Sequence, residues 1–98
     1  MKSEKDRQQN IIPFAWYKPT QWARLLEVSE DAGELERTYL EWIDGATKRI
    51  NDMARAGLRV QRVDVDVDEI VEWCRRRAVP VNGSSRALYL AEKAREEW

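Results

Sequence analysis

The sequence contains no histidine and only one cysteine among its 98 residues. Without histidine there is no imidazole base, no Ser-His-Asp triad and no histidine metal site, which excludes most of the catalytic designs known for small enzymes. The lone Cys74 cannot form an internal disulfide, and a free thiol is typical of proteins from reducing compartments. These absences predict a non-catalytic, cytoplasmic protein that holds no metal and no cofactor.

The sequence also lacks an excess of charge of either sign and lacks any long hydrophobic run. Its 17 Lys and Arg residues nearly balance its 18 Asp and Glu residues, so a net charge of −1 provides no general attraction to DNA or to an anionic membrane. No apolar stretch approaches the roughly 18 residues that a membrane span needs. We therefore expect no membrane association, and we expect any nucleic-acid binding to depend on a local patch.

A chain of this length can bury one modest hydrophobic core. Residues 1–10 have no apolar side chain except Met1 and are predicted to form a disordered tail. Residues 11–98 are predicted to form a single small domain. The domain begins with Ile11–Tyr17, which is apolar and aromatic but contains Pro13. Because proline donates no ladder hydrogen bond, this segment is predicted to be extended or to form an edge strand.

Two helices are predicted in the first half of the domain. A short helix begins at Pro19 or Thr20 and runs to about Val28, where apolar residues recur at helical spacing. A long amphipathic helix covers Glu30–Ala56, with Ser29 as its N-cap and Gly57 as the left-handed residue that ends it. At about 100° per residue, its apolar side chains fall within one stripe. The members of this stripe are Ala32, Leu35, Tyr39, Trp42, Ile43, Ala46, Ile50 and Met53.

The second half of the domain is predicted to contain one strand and two helices. Leu58–Val65 is rich in β-branched residues and is predicted to be the strand. Asp66 is the predicted N-cap of a helix over Val67–Arg77, and Asn82 or Ser84 caps a final helix that ends near the C-terminus. The predicted fold class is α+β and mostly α, with an extended N-terminal segment, a short helix, a long amphipathic helix, one strand and two C-terminal helices.

The predicted strand and the long helix both need partners. A lone strand leaves backbone groups unpaired, so it pairs with Ile11–Tyr17 within the chain, with the same strand of a second copy across a two-fold axis, or with both together. A helix over Glu30–Ala56 is about 40 Å long, and its short neighbours can hardly cover it. We therefore predict an adaptor or regulatory protein that forms a homo-oligomer, such as a homodimer, and binds a partner protein through this helix. The predicted interface residues are Tyr39, Trp42, Ile43 and Ile50.

An alternative function is that of a dimeric nucleic-acid-binding regulator. The order strand, helix, turn and helix over Leu58–Trp98, with the turn at Val81–Ser84, is similar to that of ribbon-helix-helix DNA-binding dimers. This resemblance implies that the strands of two subunits pair and present their outward side chains to DNA bases. In this chain those side chains are Arg62, Asp64 and Asp66, and the two carboxylates repel phosphate.

The cations required by this alternative lie on the two predicted C-terminal helices. The final helix is predicted to bury one apolar face, which consists of Ala87, Leu88, Ala91 and Ala94. Its opposite face is expected to be exposed. Three consecutive arginines end the preceding helix, where they either contact phosphates or complement the helix dipole. The predicted nucleic-acid-binding residues are Arg75, Arg76, Arg77, Arg86, Tyr89 and Lys93.

Overall fold

The computed structural model of the chain describes residues 11–97. Strands and α-helices follow one another as β1 (Ile11–Trp16), α1 (Trp22–Val28), α2 (Tyr39–Arg55), β2 (Arg59–Asp64), α3 (Val67–Arg76) and α4 (Gly83–Glu97). Two 3-10 turns, Pro19–Gln21 and Ala32–Glu34, precede α1 and α2. This order confirms the predicted α+β, mostly α fold class. The predicted tail at residues 1–10 and the C-terminal Trp98 lie outside the described residues.

The two strands form a two-stranded parallel sheet in which Ile11–Trp16 lies beside Arg59–Asp64, residue by residue. Parallel strands require a crossover connection, which α1 and α2 provide here. Of the two predicted pairings of the second strand, the one within the chain is therefore present. α2 packs against β2, and α4 packs against both strands.

The long helix begins later than the sequence predicted. The first part of the predicted helix contains the 3-10 turn Ala32–Glu34, and α2 begins at Tyr39. Its N-cap is Thr38, whose hydroxyl oxygen accepts a hydrogen bond from the Glu41 amide at 3.1 Å. The predicted start at Glu30 was wrong because the Thr-x-x-Glu spacing of a capping box places the helix start nine residues downstream, at Tyr39.

The corrected length of α2 removes one of the reasons for predicting a partner. With 17 residues, α2 is about 25 Å long rather than about 40 Å. Neighbouring elements bury its central residues Trp42 and Ala46, which are 5% and 0% exposed. The apolar stripe of this helix therefore packs largely within the chain.

Both N-caps predicted in the second half of the chain are present. One carboxylate oxygen of Asp66 accepts hydrogen bonds from the amides of Asp68 and Glu69, at 2.8 and 3.3 Å. Asn82 caps α4, since its side-chain oxygen accepts a hydrogen bond from the Ser85 amide at 3.1 Å. The structure therefore places the starts of α3 and α4 where the sequence predicted them.

The ends of α2 and α3 both use a residue with positive φ. Gly57 ends α2 at φ 86°, as predicted, and the Leu58 amide closes the turn on the Met53 carbonyl at 3.0 Å. Ala78 follows α3 at φ 54°, and the Val79 amide bonds back to the end of that helix. The left-handed region is strained for alanine, which has a Cβ, but not for glycine.

An aromatic cluster forms the centre of the core between β1, α1 and α2. The Trp42 ring stacks on that of Trp22, with centroids 5.3 Å apart, and lies 5.2 Å from that of Trp16. The Tyr17 ring meets the Trp42 ring edge-on at 5.4 Å. α3 adds four buried residues to the core, namely Val67, Ile70, Trp73 and Cys74. Among residues 11–97, no helix has both the length and the apolarity to cross a membrane.

The orientation of α4 differs from the prediction. Its buried residues are Ser85, Tyr89 and Ala94, whereas Leu88 is 60% exposed. The prediction is confirmed for Ala94 but wrong for the rest of the face, because Tyr89 buries a larger apolar ring and its hydroxyl donates a hydrogen bond to a carboxylate on α3. The exposed residues of the predicted apolar face are Ala87, Leu88 and Ala91.

Candidate interaction surface

The predicted interface residues on α2 lie against other parts of the chain. Trp42 belongs to the aromatic cluster, and the hydroxyl of half-buried Tyr39 donates a hydrogen bond to the Tyr17 carbonyl at 3.0 Å. Ile43 and Ile50 are also half-buried. Tyr39, Trp42 and Ile43 therefore pack within the chain, and this part of the stripe does not require a partner protein.

The arginines at the end of α3 are exposed, and each lies near a carboxylate. Arg75 donates two hydrogen bonds to Glu72 and holds the pKa of that carboxyl below its usual value. Arg76 lies 3.9 Å from the same carboxylate, and Arg77 lies 3.3 Å from Glu92. The positive charge available for phosphates at this helix end is therefore largely balanced.

Arg86 is not part of an exposed basic face. Its guanidinium donates two parallel hydrogen bonds to the Asp31 carboxylate, and a third to the hydroxyl of Ser29. Only 13% of the Arg86 side chain is exposed. Ser29, the predicted helix N-cap, thus contacts α4 instead of capping α2.

Tyr89 and Lys93 both contact Glu69 on α3. The buried Tyr89 hydroxyl and the Lys93 ammonium group donate hydrogen bonds to the same Glu69 oxygen. The expectation that α4 exposes Arg86 and Tyr89 was therefore wrong. Burial, together with the hydrogen bond to Glu69, raises the pKa of Tyr89 far above its usual value. The Tyr89 hydroxyl consequently remains protonated near neutral pH.

Two depressions lie along α3 and α4. An open polar groove of about 330 Å³ contains Glu69, Tyr89 and Lys93, and its wall includes further charged residues of both signs. A smaller apolar hollow of about 220 Å³ lies beside the α3–α4 turn, between Trp73 and Leu88. In the part of the chain that the structure describes, no cluster of three or more side chains suits a metal ion.

The outer edge of β1 is blocked by proline. The Val65 amide donates to the Trp16 carbonyl at 3.3 Å, so the backbone groups of Trp16 and of every second residue before it face β2. Pro13 lies three positions before Trp16, so its backbone points in the opposite direction, toward the outer edge. Because Pro13 has no amide hydrogen, the middle of this edge cannot donate to another strand.

The outer edge of β2 is open. By the same alternation, the amides and carbonyls of Val60, Arg62 and Asp64 point away from β1. Within residues 11–97 no other strand pairs with this edge. Four of the six β2 side chains are exposed, and β2 contains no proline. The β2 edge can therefore accept an additional strand.

The side chains at the β2 edge are charged and available. Arg62 and Asp64 lie on the same face of the sheet, and the Arg62 guanidinium stacks 4.0 Å from the centre of the Trp16 ring. Neither Arg62 nor Asp64 makes an ion pair with any other residue between 11 and 97. Within the described part of the chain, the outward Arg62 carbonyl accepts a hydrogen bond only from the exposed Gln61 side-chain amide, at 3.4 Å. This edge therefore combines backbone groups that no described strand pairs with and one available charge of each sign.

The sequence predicted that this strand pairs with Ile11–Tyr17, with a second copy, or with both, but it did not predict which edge stays free. The sequence does contain a signal for the free edge. Pro13 shows that β1 cannot donate a hydrogen bond from one position, whereas Arg59–Asp64 contains no proline. The side of each strand that remains free depends on the parallel register, which only the structure supplies.

Comparisons of the chain with protein-family models, with curated protein sequences and with solved structures found no match. The function must therefore be inferred from the structure itself. The edge of β2 is open, arginines of α3 and α4 form ion pairs with carboxylates, and Trp42 is buried.

Proposed function

We propose that the protein is a non-catalytic adaptor or regulator that self-associates and binds protein by adding a β-strand to the free edge of β2. The observation that carries this proposal is the outward direction of the amides and carbonyls of Val60, Arg62 and Asp64. Strand addition uses such groups for affinity, while the side chains beside them select the partner.

The small size of the sheet supports this proposal. Two-stranded sheets are marginal in isolation, and parallel strands usually belong to larger sheets that are covered on both faces. Here the two strands are covered by helices, but one edge remains open. An added strand extends the sheet and satisfies the exposed backbone groups of β2.

The titratable groups support a non-catalytic role. Hydrogen bonds from Arg86 lower the pKa of Asp31, and those from Tyr89 and Lys93 lower that of Glu69. Burial raises the pKa of Tyr17. Each of these shifts moves the group further from neutrality, whereas general acids and bases are tuned toward it.

Nucleic-acid binding has less support than strand addition. Carboxylates accompany Arg75, Arg77 and Arg86, and Asp64 places a further negative charge on the open edge. A cytoplasmic location remains part of our proposal, on the ground that Cys74 is a free, buried thiol.

The proposal is tested by sedimentation equilibrium of the wild type and of an Arg62→Pro variant. Proline at this position removes an outward amide while leaving the bonds to β1 in place. We expect the wild type to dimerise at micromolar concentration and Arg62→Pro to remain monomeric. Arg62→Lys is the matched control, because it keeps both the amide and the charge, and it should dimerise. A monomeric wild type, or equal dimerisation of Arg62→Pro, would overturn the proposal.

A further inference from the structure

We infer that a second copy of this chain occupies the free edge of β2 in an antiparallel arrangement, with Arg62 of each copy directly opposite Asp64 of the other. This inference rests on the proposed function and specifies the partner and its register. The two copies are related by a two-fold axis at Val63, so both contribute the same surface. The result is a four-stranded sheet with the order β1, β2, β2, β1.

Backbone geometry restricts the possible registers. In an antiparallel pair, residues whose amides and carbonyls point across the interface exchange both hydrogen bonds with residues of the same kind. The outward residues of β2 are Val60, Arg62 and Asp64. Val60, Arg62 and Asp64 must therefore each lie opposite a residue whose backbone also points outward. Such a residue is one of these three, or one that continues the same alternation beyond the end of β2.

The charges select one of these registers. If Arg62 lies opposite Arg62 of the other copy, two like charges oppose each other directly, which is destabilising. If Arg62 lies opposite Val60, neither Arg62 nor Asp64 has an oppositely charged residue across from it. If Arg62 lies opposite Asp64, the two-fold axis generates two identical ion pairs, which stabilise the pairing. Only this third register uses both charges.

The Arg62 side chain lies on the correct sheet face for this contact but leans toward β1. Its guanidinium lies 4.0 Å from the Trp16 ring centre, on the sheet face that it shares with Asp64. Both charged side chains are exposed and have no ion-pair partner among the described residues. An ion pair with Asp64 of the second copy therefore requires the guanidinium to turn from the Trp16 ring toward the open edge, and the new ion pair must offset the loss of this stacking contact.

Pro13 limits the assembly to two copies. In the four-stranded sheet, the outermost strands are the two β1 strands, and both present the edge that contains Pro13. An edge without that central donor resists further strand addition. Pairing through β2 therefore gives a closed dimer instead of an open filament.

Charge reversal tests the inferred contact. In Arg62→Asp and in Asp64→Arg, both ion pairs of the homodimer become like-charge pairs. Each single variant should therefore raise the dimer dissociation constant at least about tenfold. The double variant Arg62→Asp/Asp64→Arg restores opposite charges and should dimerise within about threefold of the wild type. An equimolar mixture of the two single variants should form heterodimers, because both ion pairs are then attractive.

Cysteine cross-linking tests the register itself. Directly opposed residues have Cα atoms about 5.5 Å apart, which a disulfide can span, whereas diagonal neighbours are about 7–8 Å apart. Oxidised Arg62→Cys/Asp64→Cys should therefore form a covalent dimer, while Arg62→Cys alone should not. A covalent dimer of Arg62→Cys alone would show that Arg62 faces its own copy and would overturn the inferred register.

The outcomes separate the inference from the proposed function. If Arg62→Pro abolishes the dimer but charge reversal leaves the dissociation constant unchanged, strand addition stands and the Arg62–Asp64 contact is wrong. If the wild type is monomeric, both fail. Sedimentation of all variants, with circular dichroism to confirm that each is folded, distinguishes these cases.

Discussion

Arg86 binds Asp31 through two parallel hydrogen bonds, from Nη1 to Oδ1 and from Nη2 to Oδ2, each 2.9 Å long. The two side chains are only 13% and 17% exposed. Asp31 also accepts a hydrogen bond from the Gly83 amide at 3.0 Å, and the Glu30 amide donates to the Val81 carbonyl at 2.7 Å. These bonds fasten the loop after α1 to the start of α4.

Loss of the Asp31 carboxylate should destabilise the fold. Asp31→Ala leaves the sheltered Arg86 guanidinium without its partner, and we expect the free energy of unfolding to fall by about 2–3 kcal/mol. Urea denaturation measures this change. Lys48→Ala is the matched control, because Lys48 pairs with Asp44 on an exposed helix surface and should lose only about 0.3 kcal/mol. Equal losses in the two variants would contradict the importance of the Arg86–Asp31 pair.

The same pair should make stability depend on pH in the acid range. Hydrogen bonding to Arg86 holds the pKa of Asp31 below its ordinary value of 3.8. Because the folded-state pKa is the lower one, ionised Asp31 contributes stability above about pH 4 and loses that contribution as the pH falls through the folded-state pKa. The difference in unfolding free energy between wild type and Asp31→Asn should therefore be smaller at about pH 3 than at about pH 7. A difference that does not change with pH would contradict this linkage.

Replacement of Ala78 by glycine should stabilise the protein. Ala78 has φ 54°, a conformation that costs a residue with a Cβ about 1 kcal/mol. Part of the gain is offset because glycine makes the unfolded chain more flexible, so we expect a net increase of about 0.5 kcal/mol in the free energy of unfolding. Ala87→Gly, at an exposed position within α4, is the control and should lose about 1 kcal/mol. Thermal and urea unfolding of both variants will show whether the two effects have opposite signs.

Removal of Pro13 should enlarge the assembly. Pro13→Ala places an amide donor on the outer edge of β1, so this edge also becomes able to accept a strand. We expect light scattering to detect species larger than the dimer, in amounts that increase with protein concentration. Pro19→Ala is the control, since Pro19 lies in the 3-10 turn after β1 and should leave the mass distribution unchanged. Identical mass distributions for the two variants would show that Pro13 does not block the edge.

Local signals in the sequence were sufficient for most element boundaries. The Asp66 cap, the left-handed Gly57 and the β-branched Arg59–Asp64 strand depend on interactions within a few residues, which a sequence displays directly. The start of α2 was predicted wrongly because the apolar stripe extends backwards from Tyr39 past its true N-cap, Thr38. The spacing of the apolar residues thus indicated an earlier helix start than the capping residue Thr38 does.

Contacts between distant residues could not be predicted in the same way. Alanines occur on both sides of α4, so the buried face is decided by Tyr89 and Arg86, whose partners Glu69 and Asp31 lie far away in the sequence. The same partners determine the availability of the cations that suggested DNA binding. For the candidate site, the sequence indicated that the strand near Arg62 needs a neighbour, but the register with β1 decides which edge stays open.

The parallel pairing of β1 with β2 also determines when the sheet can form during synthesis. β1 leaves the ribosome first, but its hydrogen-bonding partner follows only after all of α1 and α2 has been translated. Closing so long a segment has an entropic cost that local helix formation does not incur, so the helices can form before the sheet does. The nascent chain therefore carries an apolar, unpaired Ile11–Trp16 segment until Asp64 emerges, and in that interval the segment is exposed to chaperones and to aggregation.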